Sequence, residues 1–245
     1  MSISLNGATV LVTGANGGLG TQFVQQAIDL GAEKVYATAR QPRHWSDERV
    51  VPLRLDVTDE QSVAQAASAA PDTSVVVNNA AISLYPDRLM ALPMVDVRRT
   101  FDVNFFGALS VSRAFAPVLA ANGGGAFINV QSVLSWVVGH PNDPTGGHGA
   151  YSAAKAAFWS ATNSIRLDLA AQRTHVLSLH LGYTDTPMTA MLDVEKQDPA
   201  DIVGAAYDGL RSGVLEVLAD DFTRNVKSAL AGPPETLYPT LLGAE

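Results

Sequence analysis

The chain contains no cysteine, no block of Lys and Arg, and no uninterrupted apolar run of the roughly 18 residues a membrane-spanning helix needs. Without cysteine there is no disulfide framework, thiolate zinc site, iron–sulfur cluster or cysteine nucleophile, although the redox compartment stays open. Sixteen Lys and Arg stand against 24 Asp and Glu, a net charge of −8. Such a balance disfavours nucleic acid, whose affinity rests on neutralising phosphates. The first six residues lack a charged segment followed by an apolar one, so no secretory signal is visible and a soluble cytoplasmic protein is expected. Charge is scarce altogether: 16% of residues are charged and 47% hydrophobic. That apolar bias suits either a large buried parallel sheet or a surface partly hidden in an oligomer. At 245 residues the chain is long enough for one α/β domain with a full core and no covalent staple.

Short β-branched runs alternate with longer stretches of helical period along the whole chain. Strands are expected at residues 8–13, 34–39, 50–55, 74–78, 126–131, 175–180 and 215–218. Helices are expected at 20–30, closed by Gly31, at 58–70 with Thr58 as N-cap and Gln61 completing a capping box, and at 95–121, 151–171 and 200–212. The run 74–78 (SVVVN) is apolar without alternation, as in a strand covered on both faces. This alternation predicts right-handed βαβ units and one doubly wound parallel sheet with helices on both faces, in a single domain.

Between the first strand and first helix lies Thr13-Gly14-Ala15-Asn16-Gly17-Gly18-Leu19-Gly20. Glycine there permits a tight turn, lets a pyrophosphate approach the backbone and lets the helix pack closely on the strand. The helix N-terminus adds free N–H groups and partial positive charge. A ligand-free glycine turn is the bland alternative, which the position after strand one disfavours.

The spacing T-G-x-x-x-G-x-G resembles that of the short-chain dehydrogenase/reductase family, and further motifs follow in order. Asn78-Asn79-Ala80-Ala81 is similar to N-N-A-G, and Asn104 with Gly107 gives N-x-x-G. Ser132 ends the fifth strand, and Tyr151 and Lys155 give Y-x-x-x-K. The segment 181–186 (LGYTDT) is similar to P-G-x-V-x-T. The resemblance implies a Rossmann-like fold and the catalytic set Asn104, Ser132, Tyr151 and Lys155. Ser132 would hydrogen bond the substrate carbonyl, Tyr151 would be acid and base, and Lys155 would bind the nicotinamide ribose. Asn104 would hold a water linking Lys155 to solvent. Independently of any family, Tyr151 and Lys155 share one helix face, and a nearby ammonium is expected to lower a phenol's pKa. Ser135 is a rival for Ser132.

The resemblance implies cofactor contacts from Thr13, Gly14, Asn16, Gly18, Leu19, Gly20, Asn79, Ala80, Gly182, Thr184 and Thr186, besides Tyr151 and Lys155. Asp56, followed by Val57, would face the adenine. The end of strand two, Ala37-Thr38-Ala39-Arg40, lacks the carboxylate that usually binds a ribose 2′-hydroxyl. Arg40, helped by Arg43, suits a 2′-phosphate, so NADP (NADPH) is the expected cofactor. A short substrate lid is expected near residues 187–198, ending where Asp198 caps a helix with Pro199 at its first position. Ser132, Trp136, Tyr183 and Met188, with Met191 and Leu192, would line an apolar pocket for a small carbonyl or alcohol substrate. The segment 137–149 is longer than the family spacing; its His140 and His148 are read as residues of an exposed loop, with no metal expected. A homodimer or homotetramer is expected through the helices starting near Val95 and Tyr151. The resulting reading is an NADPH-dependent carbonyl reductase, reversibly an alcohol dehydrogenase; the alternative is a catalytically silent NADP-binding sensor or scaffold on the same fold.

Overall fold

A computed structural model describes residues 2–139 and 147–238. Seven strands form one parallel sheet: β1 (Thr9–Thr13), β2 (Lys34–Ala39), β3 (Val50–Arg54), β4 (Val75–Asn78), β5 (Gly125–Val130), β6 (Thr174–His180) and β7 (Glu216–Leu218). Their order is β3-β2-β1-β4-β5-β6-β7, so the sequence direction reverses between β1 and β4. In open parallel sheets a crevice forms at that reversal, beyond the strands' C-terminal ends.

Successive residues of the central strands feed opposite cores. Val10, Val12, Val75 and Val77 join a cluster with α1 (Leu19–Asp29) and α6 (Pro199–Ser212). Leu11 and Val76 join the other, with α2 (Glu60–Ala69) and α4 (Ala108–Ala121). Both faces are therefore covered, which explains why β4 reads as continuously apolar.

Several boundaries shift for identifiable reasons. The N-cap of α2 is Asp59, not Thr58: its carboxylate accepts from the amides of Gln61 and Ser62. The single helix expected over 95–121 is α3 (Met94–Phe101), a π-helical turn over Asp102–Gly107, and α4. This 28-residue run has the length and composition of a membrane span, closer to one than uninterrupted apolar residues suggest. Its Val111, Phe115 and Leu119 are nevertheless buried in the core shared with the sheet. Helix α5 runs Gly149–Asp168, starting two residues early, and a short turn over Ala170–Gln172 takes its expected end. Two helices were not foreseen, α7 (Asp221–Ala229) and α8 (Pro234–Leu237).

Candidate active site

The glycine turn lies at the reversal point. Gly14 and Gly18 adopt φ of 67° and 53°, in the left-handed region that favours glycine. A Cβ on Gly20 would stand 2.2 Å from the Gly14 carbonyl oxygen, so only glycine lets α1 descend onto β1. Helix α1 has no side-chain cap and no acidic residue in its first turn, which leaves its amides available to an anion. Thr13 faces inward: its hydroxyl donates to the Val77 carbonyl and accepts from the amides of Asn79 (2.9 Å) and Ala80 (3.0 Å), fastening the ends of β1 and β4 together. Thr13 and Gly20 thus shape the turn without lining the cleft.

The cleft itself, about 1000 Å³, runs from this turn to the C-terminal end of β5. Gly14, Asn16, Gly18 and Leu19 line one end, with Arg40, Asp56 and Val57 beside them. Asn79 and Ala80 form its middle, while Gly182, Thr184 and Thr186 border it beyond β6. Asn16 ties the turn to the segment after β2 by donating to the Gln41 carbonyl (2.7 Å). Arg40 is exposed at the rim. Burial would raise the Asp56 carboxyl, but hydrogen bonds from the Thr58 hydroxyl and amide, with the charges of Arg40 and Arg54, hold it below its ordinary value. Arg43 differs from expectation. Its guanidinium lies 4.1 Å from the Trp45 ring centroid and donates to Thr21, outside the cleft lining.

At the other end, β5 presents Ser132 and α5 presents Tyr151 and Lys155, all three lining the same cleft. The Ser132 hydroxyl accepts from the Leu134 amide (3.1 Å) and engages the Tyr151 phenol. Ser135 instead accepts from the Ser132 amide and does not reach the cleft. The Lys155 ammonium donates to the Val130 carbonyl (2.8 Å) and lies 5.8 Å from the Tyr151 ring centroid. Burial pushes that lysine down to about 8. The expectation that Lys155 lowers the phenol is not met. Burial raises Tyr151, Tyr85 adds to the rise, and the hydrogen bond with Ser132 opposes it. The protein's own groups therefore keep Tyr151 protonated at neutral pH, a form that can donate.

Asn104 lies in the π-helical turn, and both ends of its amide are engaged: Oδ1 accepts from the Ile82 amide and Nδ2 donates to the Ile82 carbonyl, each at 2.8 Å. Its side chain does not line the cleft. It holds the backbone of Ile82, which does. Gly107 of the same motif sits where a Cβ would fall 2.7 Å from Val57, which explains the glycine.

The family model described as short chain dehydrogenase matches residues 8–197. The chain belongs to the short-chain dehydrogenase family. A 2-(R)-hydroxypropyl-CoM dehydrogenase of Xanthobacter autotrophicus is 32% identical over 194 residues, 73% of this chain and 75% of that one. A cis-4-hydroxycyclohexanecarboxylate dehydrogenase of Sinomonas cyclohexanicum is 32% identical over 204 residues, 78% of this chain and 77% of that one. Among solved structures, a short chain dehydrogenase from Burkholderia cenocepacia in complex with NADP superimposes with a TM-score of 0.88. It is 34% identical and covers 98% of this chain and 100% of its own.

At the expected substrate end several expectations need correction. Met188 lines the cleft, in the segment after β6 whose base is closed by hydrogen bonds between Gln197 and both Tyr183 and Asp185. Within that segment Leu192 is buried, whereas Met191 is 68% exposed. Trp136 does not line the cleft. It stacks on the His180 ring with centroids 4.0 Å apart, meets Trp159 edge-on, and carries the Lys227 ammonium 4.4 Å from its ring centroid. The turn over Val133–Ser135 carries it away from Ser132 into this stack, beside a second cavity of about 500 Å³. Tyr183 also misses the cleft lining, its ring standing 6.4 Å from that of His148. His148 is buried, bridged to Asp87 and edge-on to Tyr85, so it is no exposed loop residue. His140 lies outside the described residues. Among the described residues no group of three or more His, Asp or Glu is placed to hold a metal.

Two buried acids at the site were missed. Asp220 caps α7 through the Thr223 amide and holds the Gly182 amide (2.7 Å each), and an Asp before a helical stretch is a readable signal. Asp87 offers no local pattern at all.

Proposed function

We propose that the chain reduces a ketone or aldehyde to an alcohol with NADPH, and runs the reverse oxidation when alcohol is in excess. The observation that carries this reading is the meeting of Ser132, Tyr151 and Lys155 at one end of a cleft whose other end is an uncapped helix N-terminus behind a glycine turn. A dinucleotide fits there: the positive-φ glycines and the close Gly14–Ala80 approach leave backbone, not side chains, facing the cleft. Arg40 in place of a carboxylate after β2 supports a 2′-phosphate, and the similar Burkholderia protein was solved with NADP. The relatives' printed names describe alcohol oxidation, which supports the substrate class.

When bound, the nicotinamide supplies the hydride. The chain's own groups do the rest. Ser132 donates a hydrogen bond that positions the carbonyl oxygen, and Tyr151, held as a neutral phenol, gives its proton to that oxygen as negative charge develops. Lys155, charged below pH about 8, supports the ribose and the phenol. Helix-borne Met94, Val95, Phe106 and Leu167 are each more than half exposed, which supports assembly as a homodimer or homotetramer.

The test is NADPH oxidation against a panel of ketones and aldehydes, repeated with NADH. Turnover with NADPH in preference to NADH is expected. Cofactor binding without turnover of any carbonyl would favour the sensor reading, and preference for NADH would overturn the argument from Arg40.

A further inference from the structure

Helix α5 carries Tyr151 and Lys155, yet it begins without a cap of its own. Its N-cap residue, His148, makes no capping hydrogen bond through its side chain, and its first turn has no acidic residue. The first four amides of a helix have no partner within it, and three of them here belong to Gly149, Ala150 and Tyr151. Here one distant residue satisfies all three. The Asp87 carbonyl accepts from the Gly149 amide (3.0 Å), its Oδ1 from Ala150 (2.9 Å) and its Oδ2 from Tyr151 (2.9 Å).

Asp87 is 2% exposed, so its carboxylate is withdrawn from water and committed to these contacts. The approach is close enough to dictate sequence. A Cβ on Gly149 would fall 2.6 Å from the Leu89 Cβ and 3.0 Å from the Leu89 amide nitrogen. The segment that carries Asp87 also carries Tyr85, whose influence raises the Tyr151 phenol, and begins at Ile82, which Asn104 holds by both backbone groups. One end of this segment is fastened to the π-helical turn and the other to the first turn of α5.

We infer that Asp87 is a positioning residue for Tyr151: by holding the amide of that very residue and the two before it, it sets where the phenol stands relative to Ser132. A carboxylate is the fitting group, because it offers two acceptor oxygens and negative charge at the positive end of a helix. Displacing a reacting group by about 1 Å costs on the order of a hundredfold in rate, so the clamp acts on turnover.

This inference rests on the reading of Tyr151 as the acid, and the experiment separates the two. Asp87→Ala is expected to lower kcat about a hundredfold, and Asp87→Asn, which keeps one acceptor oxygen, about tenfold. In a Tyr151→Phe background, Asp87→Ala is expected to leave the residual rate unchanged, since a group that acts through the phenol has nothing left to position. Amide hydrogen exchange over residues 149–151 is expected to quicken in both Asp87 variants. A further fall of the residual rate in the double variant would reduce Asp87 to a general stability role and overturn the proposal, as would unchanged exchange. Should Asp87→Ala not fold, Asp87→Asn with and without Tyr151→Phe gives the same reading. If the wild type and Tyr151→Phe turn over equally, the reading of Tyr151 fails instead, and exchange at 149–151 still decides whether Asp87 holds the helix.

Discussion

At the glycine end, most of the cleft lining comes from one short stretch, Gly14 to Leu19, with Arg40, Asp56 and Val57 beside it, and glycine leaves much of it backbone. At the tyrosine end the lining groups are side chains from β5, α5 and the segment after β6, with support from residues more than sixty positions away, as Asp87 is from Tyr151. The first end is specified by conformation and the second by assembly. Backbone that must turn sharply and expose its amides leaves glycines in a fixed pattern. A proton-transfer site leaves only its reacting residues, because what orients them can come from anywhere in the fold.

The largest expected break in this contrast is at Lys155, where assembly and stability conflict. Burial depresses its pKa from 10.5 to about 8. Between those values the unfolded chain binds a proton that the folded chain does not, so stability rises with pH through that window and the full penalty applies below about pH 8. Lys155→Met is therefore expected to stabilise the fold at pH 7 by up to about 3 kcal/mol, less the lost bond to Val130, while lowering kcat by about a hundredfold or more. Thermal melts at pH 7 and 10 check the first, and the gain should shrink at the higher pH. A destabilised or fully active variant would contradict the account.

Next comes Gly20, where conformation alone is at stake. The added methyl of Gly20→Ala has to displace the backbone of Gly14, at a cost of roughly 1–3 kcal/mol, felt in melting temperature and NADPH affinity. The rate with saturating NADPH should change far less. A variant that binds NADPH normally would show that the turn does not set the cradle.

Smaller still is Arg40, exposed at the rim. Arg40→Asp should weaken NADPH relative to NADH by about ten- to hundredfold, the worth of a charge-assisted hydrogen bond. Paired Kd measurements for the two cofactors check it. An unchanged ratio would move recognition of the 2′-phosphate elsewhere.

The same contrast explains what could be read from the sequence. The parallel sheet was legible because short β-branched runs alternate with helical stretches and β4 is apolar on both faces, and the glycine turn because its constraints are local. Tyr151 and Lys155 were legible as a pair one helical turn apart, and Ser132 as the residue ending a strand. The orientation of Asn104 was not, since Ile82 claims its amide only after the π-helical turn forms. Trp136 could not be placed, because its partners His180, Trp159 and Lys227 arrive from three other elements. His148 sits among Gly, Pro and Asn, which look like exposed loop, yet it is buried among Tyr85, Asp87, Tyr151 and Tyr183. The rise of the Tyr151 phenol reflects burial, which helical spacing does not reveal.

Separation of the two ends is tested most directly by measuring NADPH affinity and single-turnover ketone reduction together in Tyr151→Phe. That change removes the transferable proton and leaves the glycine turn, Arg40 and Lys155 in place. The account predicts an unchanged NADPH Kd with reduction slowed by about a thousandfold. Reduction at a rate near that of the wild type, or loss of NADPH binding alongside activity, would contradict it.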